Sequence, residues 1–264
     1  MKRRHLVELH DLPWWPRVFR DAATAYLVTA IGVTKTYTGL APRLAAILKR
    51  TGTTQITDLC SGGGGPWTNL LPALRAEGAD VLLCLTDKYP NTKALENLAA
   101  TVPGVRFEAN SISATDVPQR LAGFRTLFSA FHHFRPAEAQ AILAAAVRDG
   151  QGIAISEATS RTPAALATML LVPLAVWVLT PTIRPVRWSH LFWTYLVPVL
   201  PVAILFDGMV SCLRTYTPEE MLGRAREIGG NTFEWEAGLE YLAGAPLPAP
   251  YLIGIPRHPD LGAA

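Results

Sequence analysis

The chain has 264 residues, of which half are hydrophobic and 17% are charged, and its formal net charge is +3. This length excludes a mini-protein and allows one large domain or two small ones, and the composition excludes a disordered chain. Because the basic residues are scattered, apart from Lys2, Arg3 and Arg4, we expect no nucleic-acid partner.

The cysteine pattern and the first residues bear on the cellular compartment. Cys60, Cys84 and Cys212 are widely spaced and lie in apolar surroundings, which indicates reduced thiols. Their spacing fits no zinc pattern, so we expect no metal. The basic start is not followed by an uninterrupted apolar run, which argues against a secretory signal. We therefore expect a cytoplasmic protein, with membrane association as an alternative considered below.

In chain order, residues 1–50 are predicted to form an N-terminal helical cap, because apolar residues recur at helical spacing over 18–33 and 40–48. From Gln55 onward, short apolar runs alternate with helical segments at intervals of roughly 25 residues. This rhythm predicts right-handed βαβ units and a doubly wound α/β sheet. The predicted strands are 55–59, 81–86, 105–109, 126–131 and 152–157, with helices over 67–76, 91–100 and 136–148.

The stretch from Pro163 to Phe206 interrupts this pattern. It contains only two charged residues, Arg184 and Arg187. After it, Thr217-Pro218-Glu219-Glu220 is typical of a helix start, and that helix should end at residues 229–230. Residues 233–237 and 251–255 are then predicted to form a final antiparallel pair of strands. The domain prediction is a cap over 1–50, a cofactor domain over 51–162 and 211–264, and an apolar insertion over 163–210.

The sharpest local signal is a glycine-rich turn between the first predicted strand and the next helix. Gly62-Gly63-Gly64-Gly65 lets the backbone approach a ligand closely, and Pro66 suits the first helical position. Asp87 follows the second strand, where a carboxylate can accept hydrogen bonds from both ribose hydroxyls of a nucleotide-like ligand. Asp58 precedes the turn, where it would repel a pyrophosphate and attract a cation. S-adenosylmethionine is a ligand of this cationic, phosphate-free kind.

The segment Asp58-Leu59-Cys60-Ser61-Gly62-Gly63-Gly64 resembles the first motif of the class I S-adenosylmethionine-dependent methyltransferases, approximately Asp-Leu-Gly-x-Gly-x-Gly. Cys60 replaces the first glycine. The resemblance covers about residues 50–160 and 215–256, and includes Asp116-Val117-Pro118 and Ser129-Ala130-Phe131-His132-His133-Phe134. It implies a seven-stranded, mostly parallel, Rossmann-like sheet that ends in an antiparallel hairpin.

The same resemblance implies S-adenosylmethionine as the cofactor. Asp87 matches the acid that holds the ribose, and Asn110 stands where the family usually has an aspartate that contacts the adenine amino group. An asparagine carbonyl can accept the same hydrogen bond. The candidate cofactor-binding residues are Asp58, Cys60, Gly62, Gly64, Asp87, Asn110, Ser111 and Ala130.

Two histidines directly after the fourth predicted strand are the candidate catalytic residues. A histidine with a pKa near 6.5 can remove a proton at neutral pH, so either His132 or His133 is predicted to act as a general base. The alternative is that one caps the following helix while the other is half-exposed. Four further side chains are weaker candidates for substrate contacts, with capping or packing as their alternatives: Tyr37, Glu157, Trp193 and Asp207.

Three interpretations of the apolar insertion remain open. It is a substrate lid over the crevice, an interfacial hairpin that dips into a membrane, or a two-span hairpin or dimer interface. Arg184 and Arg187 argue against a tip that crosses to the far side of a membrane. Each interpretation implies a hydrophobic acceptor, and the chain is expected to be a monomer or a homodimer.

The leading functional hypothesis is methyl transfer to a hydrophobic small molecule by in-line displacement. The alternative enzyme is a lipid or quinone methyltransferase at the membrane surface. A hypothesis of another class is a non-catalytic S-adenosylmethionine-binding scaffold, since Cys60 and Asn110 depart from the family pattern.

Overall fold

A seven-stranded sheet forms the centre of the computed structural model, which describes residues 1–257. The strands are β1 Gln55–Asp58, β2 Leu82–Leu85, β3 Val105–Phe107, β4 Phe124–Phe128, β5 Ile153–Ser156, β6 Phe233–Glu240 and β7 Ala249–Pro256. Their order in the sheet is β3-β2-β1-β4-β5-β7-β6. The first five strands are parallel, and β7 is antiparallel to both β5 and β6. The predicted doubly wound, mostly parallel seven-stranded sheet is confirmed.

Ten helices surround the sheet among the described residues. They are α1 Arg17–Thr34, α2 Ala41–Thr51, α3 Trp67–Ala76, α4 Thr92–Thr101, α5 Pro136–Arg148, α6 Pro163–Met169, α7 Val172–Leu179, α8 Trp188–Leu191, α9 Val199–Arg214 and α10 Pro218–Gly229. The start of α10 follows the predicted signal: Thr217 Oγ1 accepts from the Glu220 amide, and the Glu220 carboxylate accepts from the Thr217 amide. This reciprocal cap satisfies two amide groups that the first turn leaves free.

The fourth strand differs most from its prediction, which was 126–131. It begins at Phe124 and ends at Phe128. Ser129 has a φ of 47°, in the left-handed region, and Phe131–His133 form a 3-10 turn. An apolar run does not distinguish a strand from the turn that follows it when both are buried, and here both are. As a result, the two histidines lie on a turn above the sheet edge and not in the strand.

The core has one apolar cluster on each face of the sheet. One contains α3, whose Trp67, Leu70 and Leu74 are fully buried. The other contains Ile142 of α5 and Met221 of α10. Both faces of the strands are therefore covered by helices, which is the usual condition of a parallel sheet. Residues 258–264 of the predicted cofactor domain lie outside the described residues.

The apolar insertion packs on the N-terminal cap. A third apolar cluster joins Tyr26 of α1 with Val176, Ile183 and Ile204. Two candidate membrane segments occur here. The segment Pro163–Thr182 is long and apolar enough to cross a membrane. The helices over 188–196 and 199–214 meet the same criteria of length and hydropathy only when taken together, and they are bent by 80° relative to each other. The predicted boundary at residue 210 stays a prediction, although α9 continues to Arg214.

Candidate active site

Four neighbouring strands bring the candidate residues to one edge of the sheet. The strands β2, β1, β4 and β5 are adjacent and parallel, so their carboxyl ends lie side by side. The segments that follow them carry, in the same order, Asp87, the glycine turn, the two histidines and Glu157. The strand order reverses between β1 and β4, which is where open α/β sheets bind ligands.

The glycine turn lies between helices α1 and α4. A Cβ on Gly64 would lie 2.5 Å from Leu98 Cδ2, and one on Gly63 would lie 2.7 Å from Val28 Cγ2. Gly62 has a φ of 54°, and a Cβ there would meet nothing within 4 Å, so open space lies against this residue. Cys60 has a φ of 57°. That conformation explains why the family motif has glycine at this position, and it makes the Cys60 backbone strained.

Asp58 lies beneath the turn and not on its open side. It is 3% exposed, and its two carboxylate oxygens accept from Ser61 Oγ and Thr126 Oγ1, both at 2.7 Å. Burial raises the pKa of Asp58 to about 6, although the bonds from Ser61 and Thr126 lower it. These contacts make Asp58 a residue that positions the turn. Direct contact with a cofactor stays a prediction.

The raised pKa of Asp58 predicts a pH-dependent effect on stability. A group with a raised pKa in the folded state contributes stability that is complete below its unfolded pKa and is lost as pH rises through the folded value. For Asp58 that window runs from the ordinary value of 3.8 to about 6. Relative to an Asp58→Asn variant, which does not titrate, the natural protein should lose about 2 kcal/mol of unfolding free energy between pH 4.5 and pH 7.5.

Urea unfolding of both proteins at the two pH values measures this difference. Asp149→Asn is the control, because hydrogen bonds from Arg148 and Arg125 lower the Asp149 pKa below its ordinary value, outside this range. A constant difference between natural protein and Asp58→Asn would contradict the assignment.

Asp87 is linked directly to the glycine turn. Its Oδ2 accepts from the Gly62 amide and its Oδ1 from the Tyr89 amide, both at 2.8 Å. Asn110 and Ser111 lie on the exposed loop after β3, where Ser111 Oγ donates to the Lys88 carbonyl. Asp87 therefore borders the open space at Gly62. Ala130 is buried, and its carbonyl accepts from the His133 amide.

His132 and Glu157 form a buried pair at the ends of β4 and β5. Glu157 is fully buried; its Oε1 accepts from the His132 amide at 2.8 Å, and its Oε2 is 2.7 Å from His132 Nδ1. Burial raises the pKa of Glu157, but attraction to His132 and the two hydrogen bonds outweigh burial and lower it. An ionised Glu157 accepts a hydrogen bond from Nδ1–H of His132, which leaves Nε2 of a neutral His132 as the acceptor nitrogen.

His133 has a different set of partners. Its Nδ1 lies 3.2 Å from Asp11 Oδ1, and its ring centre lies 4.3 Å from that of His132. Asp11 also pairs with Arg214 at 2.5 Å, and Arg214 donates to the carbonyls of both histidines. Burial raises the pKa of Asp11, but His133 and Arg214 lower it well below its ordinary value.

The first twelve residues cover the histidine turn, which the sequence did not predict. Arg3 donates to the carbonyls of His132 and Phe134. Glu8 is 4% exposed, and its Oε1 lies 3.7 Å from His132 Nε2. We call residues 1–12 the N-terminal strap. The charged residues Glu8 and Asp11 are the sequence signal for it.

Three predicted substrate residues make contacts within the protein, and their contact with a substrate stays a prediction. Tyr37 is 1% exposed, its ring packs on Phe128, and its hydroxyl lies 2.6 Å from Ser129 Oγ. Trp193 stacks edge-on against Phe19 of α1 and joins the insertion to the cap. Asp207 accepts from the amides of Leu9 and His10, so it anchors the strap. Glu157, the fourth predicted substrate residue, contacts His132.

No protein-family model matches the chain. No curated protein sequence matches it either.

Solved structures do resemble the chain. The plantazolicin methyltransferase BpumL, in complex with a monoazolic desmethylPZN analog and SAH, has a TM-score of 0.56 at 10% identity, with 90% of each chain covered. Its complex with SAH has a TM-score of 0.52 at 9% identity, covering 94% of this chain and 93% of that chain. An O-methyltransferase family protein from Burkholderia thailandensis has a TM-score of 0.47 at 15% identity. The match covers 85% of this chain and 58% of that chain. The sheet order and the likeness to BpumL agree: the chain has the fold of the class I S-adenosylmethionine-dependent methyltransferases.

Proposed function

We propose that the protein is an S-adenosylmethionine-dependent methyltransferase that acts on a hydroxyl group of a hydrophobic small molecule. The observation that carries this proposal is the buried pair of His132 and Glu157, one strand away from the glycine turn. A buried base held in one tautomer suits an acceptor that must lose a proton when it is methylated. A hydroxyl is such an acceptor.

The residues at the glycine turn fit S-adenosylmethionine. Open space lies against Gly62, and the Asp87 carboxylate borders it. A carboxylate at this point suits the ribose hydroxyls of a nucleotide-like ligand. BpumL, which has the same fold, is described in complex with SAH. Asp87 and the turn would hold the ribose side of the cofactor, and Asn110 would accept from the adenine amino group.

In the proposed mechanism the protein positions the acceptor and removes its proton. When bound, the cofactor supplies a methyl group on a sulfonium, which is already activated for displacement. Glu157 fixes the His132 ring through Nδ1. His132 Nε2 accepts the hydroxyl proton as the acceptor oxygen attacks, and Glu157 stabilises the resulting imidazolium. Because the strap lies against Nε2, an acceptor reaches it only after the strap moves.

Calorimetry with S-adenosylmethionine tests the cofactor assignment. Asp87→Ala removes the acceptor for ribose hydroxyls and the partner of the Gly62 amide, so we expect at least a tenfold loss of affinity. Asp80→Ala is the matched control, since Asp80 lies just before β2 with a 95% exposed side chain. If the natural protein does not bind the cofactor, the proposed function fails. Binding without turnover on any acceptor would favour the non-catalytic scaffold.

The exposed face of the insertion favours a second proposal, namely that the acceptor is a lipid or quinone reached at the membrane surface. Leu170, Leu171, Leu174, Trp177 and Val178 are each 47–66% exposed, and their spacing places them on one helical face. Other exposed apolar side chains in the insertion are Val186, Trp188, Phe192, Tyr195, Leu196, Val202 and Phe206. A lid would turn such residues inward, whereas an interfacial helix exposes them.

Flotation with vesicles of anionic and neutral phospholipids tests this membrane contact. A Leu174→Glu/Val178→Glu variant places two carboxylates on the exposed face and should reduce the floating fraction at least fivefold, since charged groups are costly in a bilayer interface. Leu82→Glu and Leu239→Glu are controls, because both residues are similarly exposed but lie on strands of the sheet. Equal flotation of all variants, or none by the natural protein, would favour the lid.

A further inference from the structure

The side chains of Glu8, His132 and His133 converge where the N-terminal strap meets the histidine turn. Glu8 Oε1 lies 3.7 Å from His132 Nε2, and Glu8 Oε2 lies 3.8 Å from His133 Nε2. One ligand atom from each residue lies within 4.8 Å of the other two. The two Glu8 distances exceed those of hydrogen bonds, so no direct bond explains the convergence. Three ligands about 2.1 Å from one ion at tetrahedral angles lie about 3.4 Å apart. The two Glu8 distances would shorten by a few tenths of an ångström, and any ligand pair at the 4.8 Å limit by about 1.4 Å.

Each histidine contacts a carboxylate through its Nδ1 atom, as metal-ligating histidines commonly do. His132 Nδ1 contacts Glu157 at 2.7 Å, and His133 Nδ1 contacts Asp11 at 3.2 Å. A carboxylate on one ring nitrogen fixes the proton there and turns the other nitrogen toward an ion. Ser211 Oγ donates to Glu8 Oε1 at 3.0 Å, which orients the third donor. The cluster thus has both a set of donors and a set of groups that orient them.

The charges of the cluster also favour a cation at this point. With both histidines neutral, each Nε2 presents a lone pair to a carboxylate oxygen, and two acceptors repel each other. When Glu8, Asp11 and Glu157 are all ionised, Arg214 is the arginine that contacts two of them among the described residues, and a divalent cation would balance the two remaining negative charges.

We propose that Glu8, His132 and His133 bind one divalent transition-metal ion of the zinc type, which fastens the N-terminal strap over the histidine turn. Two imidazoles and one carboxylate form a donor set that zinc and cobalt accept, with a fourth position for water. The strap supplies Glu8 directly and Asp11 behind His133.

The metal site has a consequence that rests on the proposed function. An ion on His132 Nε2 occupies the nitrogen that would accept the hydroxyl proton, so the metal-loaded protein is the closed form. A chelator should then raise the rate of methyl transfer, and added zinc should lower it. Metal binding itself is measured without cofactor or acceptor, so its failure and the failure of methyl transfer are separate results.

Equilibrium dialysis of the full chain against Co²⁺ or Zn²⁺, with metal analysis and the visible spectrum of bound Co²⁺, tests the site. We expect one ion per chain. Glu8→Gln and His133→Ala should each weaken binding at least tenfold, and Asp11→Asn should weaken it by a smaller factor. His10→Ala is the matched control, since His10 belongs to the same strap but supplies no atom to the cluster.

A measurement on the natural protein keeps the test independent of how the variants fold. His133 is 33% exposed at its side chain, so diethyl pyrocarbonate should modify it, and Zn²⁺ should protect it. Failure to bind Co²⁺, or unprotected modification in the presence of Zn²⁺, would overturn the proposal in favour of protonated histidines that neutralise the carboxylates. Undiminished binding by folded Glu8→Gln and His133→Ala variants would overturn it as well.

Discussion

A His132→Ala variant is expected to lose turnover by about 10²–10⁴-fold while its affinity for S-adenosylmethionine changes little. The reason is geometric. His132 is the histidine that a fully buried carboxylate holds in one tautomer, and it follows β4, beside the strand that carries the glycine turn. The acceptor would then have to lose its proton to water. Formation of the demethylated cofactor, measured on hydrophobic phenols in detergent micelles, gives the rate.

Two companion variants separate a base from a merely structural histidine. Glu157→Gln keeps the shape of the pair but removes the negative charge that fixes Nδ1–H, so the rate should fall and its pH profile should shift. His133→Ala leaves His132 and Glu157 together and should affect the rate much less. Equal losses for His132→Ala and His133→Ala, or a loss of cofactor binding in His132→Ala, would count against the assignment.

An Arg214→Met variant is expected to lower the free energy of unfolding by about 3–5 kcal/mol. Arg214 is 2% exposed, pairs with Asp11 at 2.5 Å and lies 3.4 Å from Glu8 Oε1. It also donates to the carbonyls of His132 and His133. Methionine fills similar space but removes the charged partner of two carboxylates and a donor to two carbonyls, and the cost of leaving buried charge without compensation is large.

Urea unfolding of Arg214→Met at pH 7 measures this loss. Arg226→Met is the matched control, because Arg226 is an exposed residue in the last turn of α10. Arg214→Lys should recover part of the stability, since it restores the charge but not the several donors of a guanidinium. A loss below about 1 kcal/mol for Arg214→Met would mean that water or the strap itself replaces these contacts.

Helix α9 connects the exposed apolar face to the histidine turn. Val202 and Phe206 on its first half are exposed. Asp207 accepts from the amides of Leu9 and His10, and Arg214 at its last residue holds the histidine carbonyls. One helix thus carries both exposed apolar side chains and the anchors of the strap. The helix has 16 residues and so reaches from the exposed apolar side chains at its start to the histidine turn at its end.

The sheet and the cofactor end of the site could be predicted from the sequence because their signals are local. Apolar runs with helical segments between them predicted every strand, and the turn from Asp58 to Gly64 marked the crevice. The capped start of α10 is equally local. In each case neighbours within a few residues determine the backbone, through periodicity, capping or glycine conformation.

The other half of the site depended on contacts between distant parts of the chain. Glu8 meets His132 across 124 residues of sequence and Arg214 across more than 200. Tyr37, in the helical cap, and Asp207, the one acid between Glu157 and Glu219, were predicted as candidate substrate contacts. The structure shows that their partners are Ser129 and the strap amides. Composition and spacing alone determined the sheet and the glycine turn, while only tertiary packing decided which buried charges meet, because burial requires a partner without specifying where in the chain it comes from.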